Sequence, residues 1–311
     1  MPAACVAEPF SHCAPHDNLD AITAERLVPT VLSSNTAEIP FTARYFARLF
    51  STSANSPDET MRESFHKRGY ILLRNALDRT AVLDLRAAYL GRFPDDLFKT
   101  GTASSDGRFS GNYPLNLPPH GTPGHPAWAF VRSDRFRNFV ATERLQDLAE
   151  ILLGGSAVRL RRTPLRHFLS GNKAASRAHI DYSYLDAGSA EIVTFWIPIG
   201  DCPLSAGGLI YLEDSTTLDF DALRRGLLTD REHDARPLTH DLCGLADRTG
   251  KRWLWTDFTA GDVVAHSPFM VHASVNAQND LMRISIDVRF VRAGTAVDPR
   301  WTEDWSADDG Y

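Results

Sequence analysis

Apolar and polar positions follow two rhythms along this chain, and the rhythm changes near Ala157. Residues 1 to about 58 show no sustained period and read as a partly irregular N-terminal extension, with a short helical patch expected in "FTARYFARLF" (Phe41 to Phe50). From "SPDETMRESFHKRGY" the spacing becomes helical. Ser56 or Asp58 can cap a helix carrying Met61 and Phe65, and Gly69 can stop it. "YILLRNAL" (Tyr70 to Leu77) predicts a strand. "DRTAVLDLRAAYLGRF" predicts a second helix, with Val82, Leu83, Leu85 and Tyr89 at helical spacing and Gly91 at its end. Between Thr100 and Trp128 the chain is dense in Gly, Pro, Ser and Asn, so no regular element fits; its aromatic and basic residues suggest a covering loop. "ERLQDLAEILLGG" (Glu143 to Gly155) reads as a third helix.

After Ala157 the pattern is one of short strands: "AVRLRRTPLRHFL", "EIVTFWIPI", "GGLIYLE", "RWLWTDF", "GDVVAHS", "MVHASV" and "MRISIDVRFV". One helical stretch interrupts them at Asp219 to Leu228. Short strands separated by turn signals predict a sandwich or jelly-roll barrel. The whole reads as a mixed α+β domain over residues 59–311, its barrel core at about 157–292 buttressed by the N-terminal helices.

Composition fits a soluble globular chain: 43% hydrophobic and 23% charged residues over 311 positions can bury a sizeable core. A net charge of −6 argues against a broad nucleic-acid footprint. Cys5, Cys13, Cys202 and Cys243 have no zinc-type spacing and read as free thiols. No apolar run approaches a membrane span, and the first residues make a poor signal peptide, so a cytoplasmic location is expected.

The chemistry concentrates in two stretches. "SRAHIDYSYLDAG" places His179 and Asp181 two residues apart, on one face if the segment is a strand. Such a pair suits a surface ion pair, a hydrogen-bonded core pair or two ligands of one metal. "AGDVVAHSPFMVHASV" then supplies His266 and His272, and Arg283 follows His272 by eleven positions. In "MRISIDVRF", Arg283, Ser285, Asp287 and Arg289 share one face, which either meets solvent or lines a barrel interior. Two histidines and one carboxylate leave part of a metal's coordination sphere open, the pattern that suits non-haem Fe(II). An arginine is the side chain suited to a desolvated carboxylate, because its planar fork binds both oxygens.

At these residues the sequence resembles the phytanoyl-CoA dioxygenase family of Fe(II)/2-oxoglutarate oxygenases, most strongly from Ser176 to Arg292. "HIDYSY", "AGGLIYLEDST" and "GDVVAHSPFMVHAS" are similar to its metal, Gly-Leu and distal-histidine motifs, and "FHKRGYILLRNAL" to its opening helix and strand. The resemblance implies a double-stranded β-helix, a jelly-roll, cupin-like barrel. It implies His179, Asp181 and His272 as iron ligands, with Arg283 and Ser285 on the distal carboxylate of 2-oxoglutarate. Trp196 falls where the family often has a tryptophan beside the co-substrate, Thr194 is a further candidate there, and His266 is the rival distal ligand. Two departures stand out. Glu213-Asp214-Ser215-Thr216 replaces a Pro-Gly-Ser-His turn, and Leu169-Ser170-Gly171 occupies the place of a lysine before the metal motif, for which Arg166 or His167 are possible substitutes.

The implied reaction consumes 2-oxoglutarate and O2, releases succinate and CO2, and oxidises a substrate, most commonly by hydroxylation. Asp181 also stands where related halogenases have Gly or Ala, which favours oxygenation. Tyr182, Tyr184, Phe269, Arg108, Phe109 and Tyr113 are candidate substrate contacts. Arg159, Arg161, Arg162 and Arg166 split between two strand faces and make a poor cradle for acyl-CoA phosphates, so a small metabolite or natural-product intermediate is the expected partner. The alternative is a non-catalytic or non-oxidative metal- or ligand-binding barrel of the same fold.

Overall fold

The computed structural model describes residues 30–185, 189–229 and 234–306; Cys5 and Cys13 lie outside them. Two sheets face one another. The larger runs in the order β4 (Ser51–Ser53), β5 (Tyr70–Arg74), β11 (Val263–His266), β8 (Ile192–Pro198), β13 (Arg283–Arg292), β6 (Ala157–Arg159), and β7 (Leu165–Phe168) also pairs with β13. The smaller runs β12 (His272–Ser274), β9 (Leu209–Leu212), β10 (Trp253–Trp255), β3 (Phe46–Arg48). A hairpin of β1 (Val31–Ser34) and β2 (Ala37–Pro40) lies beside the smaller sheet's outer core.

Period-two alternation sorts the core into layers. On β5, β8, β11 and β13 one set of side chains (Ile71, Leu73, Phe195, Ile197, Val263, Ala265, Ile284, Ile286, Val288) packs against the helices α1 (Asp58–Arg68), α2 (Arg79–Leu90) and α5 (Glu143–Leu153). The other set looks between the sheets, where Tyr70, Leu72, Trp196, Tyr211 and Val264 form an inner apolar cluster. The polar face of β13 belongs to this inner side, opposite Thr194, Trp196 and Pro198 of β8.

Local chemistry sets the helix ends. Asp78 accepts from the amides of Thr80 and Ala81 and starts α2. Gly69 ends α1 with φ at 74°, a conformation costly for a side chain bearing Cβ. The residue before α1 is Pro57, and neither Ser56 nor Asp58 caps it. Arg86 of α2 is buried and donates to the carbonyls of Ile199, Met282, Ser105 and Asp106, tying the helix layer to the start of β13.

Two sequence expectations change. Phe41 to Phe50 is not helical: a turn leads into β3, whose parallel pairing with β10 outweighs the weak local helical pattern, and β4 adds to β5 in the same way. The helix expected at 219–228 shrinks to α6 (Phe220–Arg224). Among the described residues there are further helices, α3 (Pro126–Val131), α4 (Asp134–Val140) and α7 (Leu242–Thr249). No described helix is long and apolar enough to cross a membrane.

Candidate metal centre

His179 and His272 form a β-bridge in which each amide donates to the other's carbonyl at 3.0 Å. This hydrogen-bonded pairing sets the two imidazoles side by side, 4.1 Å between ring centroids. Asp181 is not on a strand with His179, as the alternation argument expected. It opens a 3-10 turn, Asp181–Tyr184, which curls the carboxylate back to the histidines. One ligand atom from each of His179, Asp181 and His272 lies within 4.8 Å of the others, close enough for one ion to bind all three.

The hydrogen bonds select the ligating atoms. Nδ1 of His179 is 2.6 Å from the Arg177 carbonyl and Nδ1 of His272 is 2.9 Å from the Met270 carbonyl, so each ring donates there and keeps its Nε2 lone pair for a metal. Burial lowers the pKa of both rings, which favours the neutral, ligating form. Oδ1 of Asp181 faces the two Nε2 atoms at 3.9 and 3.8 Å. Oδ2 is taken up elsewhere: it accepts from Thr194 Oγ1 at 2.6 Å, from Arg289 Nη2 at 3.0 Å and meets His266 Nε2 at 3.3 Å. Burial alone would raise the Asp181 carboxyl, but Arg289, His266 and His272 hold it well below the ordinary range.

Those three partners form one row across the larger sheet, since Thr194 of β8 is in register with His266 of β11 and with Arg289 of β13. The two candidate histidines take different places in this arrangement. His266 stands behind the carboxylate, with Nδ1 3.0 Å from the Tyr211 hydroxyl, whereas His272 is in the ligand cluster. Thr194 orients Asp181. Tyr211 and Arg289 had no signal of their own beyond, for Arg289, its place on the polar face.

Arg283 is 2% exposed, and only its Nη2 has a partner, Ser285 Oγ at 3.1 Å. Its Nε and Nη1 are buried donors with none, and its guanidinium lies over Phe168 at 4.4 Å and near Trp196 at 5.5 Å, whose indole N–H is also unpaired. Burying a cation without an anion costs several kcal/mol. The unpaired donors are of the kind a carboxylate satisfies. The donor set and these orphaned donors fit a ferrous ion with a dicarboxylate co-substrate.

The other expected contacts divide. Tyr184 meets His179 edge-on at 5.4 Å, and Tyr182 packs on Phe269 at 4.7 Å with 40% of its surface exposed. Arg108, Phe109 and Tyr113 are not brought to the site. Arg108 pairs with Asp280, Phe109 is buried in the core between the larger sheet and the helices, and Tyr113 donates to Pro118 within its own loop. That loop covers the helix side of the sheet, where His120 reaches the Leu165 carbonyl. His167 also points there, to Tyr89, while Arg166 pairs with Asp287 on the inner face of β13. A cavity of about 300 Å³ lined by Val131, Phe136, Arg159, Arg161 and Trp305 lies away from the triad.

Residues 65–285 match the phytanoyl-CoA dioxygenase (PhyH) family model, and the chain belongs to that family. Among solved structures it is similar to the non-haem α-ketoglutarate-dependent carbocyclase SnoK from nogalamycin biosynthesis, at TM-score 0.55 and 19% identity over 84% of this chain and 92% of that one. The epimerase SnoN, solved with Fe3+, α-ketoglutarate and a nogalamycin compound, matches at TM-score 0.54 and 19% identity over 78% and 86%. AviO1 from Streptomyces viridochromogenes Tue57 matches at 0.51 and 18% over 78% and 98%. These likenesses establish the double-stranded β-helix fold. No curated protein sequence matches the chain.

Proposed function

We propose that this protein is an Fe(II)- and 2-oxoglutarate-dependent dioxygenase that hydroxylates a small metabolite or natural-product intermediate. His179, Asp181 and His272 hold the iron, and Arg283 with Ser285 holds the far carboxylate of 2-oxoglutarate. The observation that carries this reading is the pairing, in one barrel interior, of an open two-histidine, one-carboxylate cluster with a buried arginine whose Nε and Nη1 lack acceptors. Iron bound there supplies the oxidising chemistry, coupling loss of CO2 from 2-oxoglutarate to oxygenation of the substrate.

The chain's own residues set the geometry. Met270 and Arg177 carbonyls hold the imidazoles with Nε2 inward. Thr194, Arg289 and His266 occupy Oδ2, which leaves Oδ1 of Asp181 as the ligand atom. Trp196 and Phe168 wall the Arg283 pocket with apolar surface, so that water competes poorly for its donors. Hydroxylation asks least of such a site, since it needs a positioned C–H bond and no further acid or base. A natural-product substrate is in keeping with the fold shared with SnoK and SnoN.

The test is an anaerobic titration of Fe(II)-loaded protein with 2-oxoglutarate, followed by the visible iron-to-keto-acid charge-transfer band. The band is expected in the wild type, lost in His272→Ala and retained in His266→Ala. Iron binding without a band in the wild type would refute the oxygenase reading.

A further inference from the structure

The barrel interior holds a second arginine whose donors are not used up. Arg289 is 5% exposed; its Nη2 serves Asp181, but its Nε and Nη1 are buried with no acceptor. Its guanidinium lies 4.7 Å from the ring of Trp301, itself 6% exposed, and the Trp301 indole N–H is another buried donor with no partner. Trp301 sits in an apolar cluster with Leu160, Leu185, Ile192 and Val291. The place is thus a set of unmet donors set in an apolar wall, six positions along β13 from Arg283 and so well separated from the Arg283 pocket.

Charge points the same way. With iron and a dicarboxylate in place, the positive charges of the metal, Arg283 and Arg289 exceed by one the negative charges of Asp181 and the co-substrate. The neighbouring Arg166 and Asp287 pair with one another. An excess charge in a buried site is costly unless an anion joins it.

We propose that Arg289 and Trp301 form a substrate subsite that reads a carboxylate, so that the substrate is a small organic acid with an apolar body beside its acid group. The proposal rests on the oxygenase reading above and narrows its substrate class. Arg289 then acts twice, orienting Asp181 through Nη2 and receiving the substrate carboxylate at a donor Asp181 does not use, Nη1. Trp301 adds the indole N–H and a flat apolar surface.

The experiment measures anaerobic binding of phenylacetate and its neutral isostere phenylacetamide to the Fe(II)- and 2-oxoglutarate-loaded protein by calorimetry. Phenylacetate is expected to bind roughly tenfold or more tightly than the amide, the discrimination of one charge-assisted contact. Trp301→Phe, which keeps the ring and removes the donor, and Arg289→Lys, which keeps the charge, are each expected to reduce that preference several-fold. Equal binding of acid and amide overturns the proposal. So does competition of phenylacetate with 2-oxoglutarate, which would assign the Arg289 donors to the co-substrate. The charge-transfer band, recorded on the same samples, separates these outcomes from failure of the oxygenase reading, which would remove the band itself.

Discussion

At the scale of single residues, the site is governed by which buried donors have acceptors. Arg283 has one partner and two orphaned donors, and Asp181 has one saturated oxygen and one facing the histidines. The sharpest consequence concerns Arg283→Gln. Loss of a charge-assisted, two-point contact costs about 2–3 kcal/mol, so the concentration of 2-oxoglutarate needed for half-maximal charge-transfer absorbance should rise roughly 30- to 150-fold. Iron binding should be nearly unchanged, because Arg283 makes no contact with the triad residues; a parallel loss of iron would show that its role is structural. His179, His272 and Arg283 were legible as residue types at a spacing. Asp181 was legible as a candidate ligand but not in its local conformation, because a 3-10 turn and a short strand both place residues i and i+2 within reach of one metal.

At the scale of elements, the end of α1 meets the segment leading into β12 through Gly69. A Cβ there would lie 2.3 Å from Thr216 Cγ2 and 3.2 Å from Met270 Sδ, at a φ of 74° that disfavours any side chain. The Ser267 amide donates to the Gly69 carbonyl, and the Met270 carbonyl orients His272. Gly69→Ala should therefore destabilise the protein by about 2 kcal/mol, combining backbone strain with overpacking, and lower the melting temperature by several degrees. The main clash is with Thr216, so iron binding should change little; a large loss of iron affinity would show that the strain reaches the Met270 carbonyl that orients His272. Helix α1, strand β5, helix α2 and the strands after residue 157 were readable because their apolar positions repeat. Strands β3 and β4 were not, since they lie in a stretch without sustained apolar alternation and form through parallel pairing with β10 and β5.

At the scale of the whole molecule, the helix layer is sealed to the larger sheet over three neutral histidines. His120, His125 and His167 lie within 6.5 Å of one another by ring centroid, beside Tyr89 and Phe93. Burial lowers His120 to about 3 and His125 to about 4, and His167 well below its ordinary value. Each is depressed in the folded state relative to about 6.5 in the unfolded chain. Their contribution is therefore complete above pH 6.5 and is lost as pH falls through the range from 6.5 toward 3. Each fully buried histidine costs about 1.4 kcal/mol per pH unit over that range. Urea midpoints should fall between pH 7 and pH 5 and fall less in His120→Gln; a wild-type midpoint independent of pH would contradict this.

The sequence by itself indicated the barrel class, the helical buttress and the candidate site residues His179, Asp181, His272 and Arg283, through alternation, motif spacing and resemblance to the family. Tertiary structure alone decided that His266 backs the carboxylate, that Arg289 and Thr194 join it in one row, and that Arg108, Phe109 and Tyr113 lie elsewhere. Those outcomes depend on strand register across β11, β8 and β13 and on which face of the larger sheet the 100–128 loop covers. Register is settled by pairing between segments up to about a hundred residues apart, and no short window of sequence contains both partners.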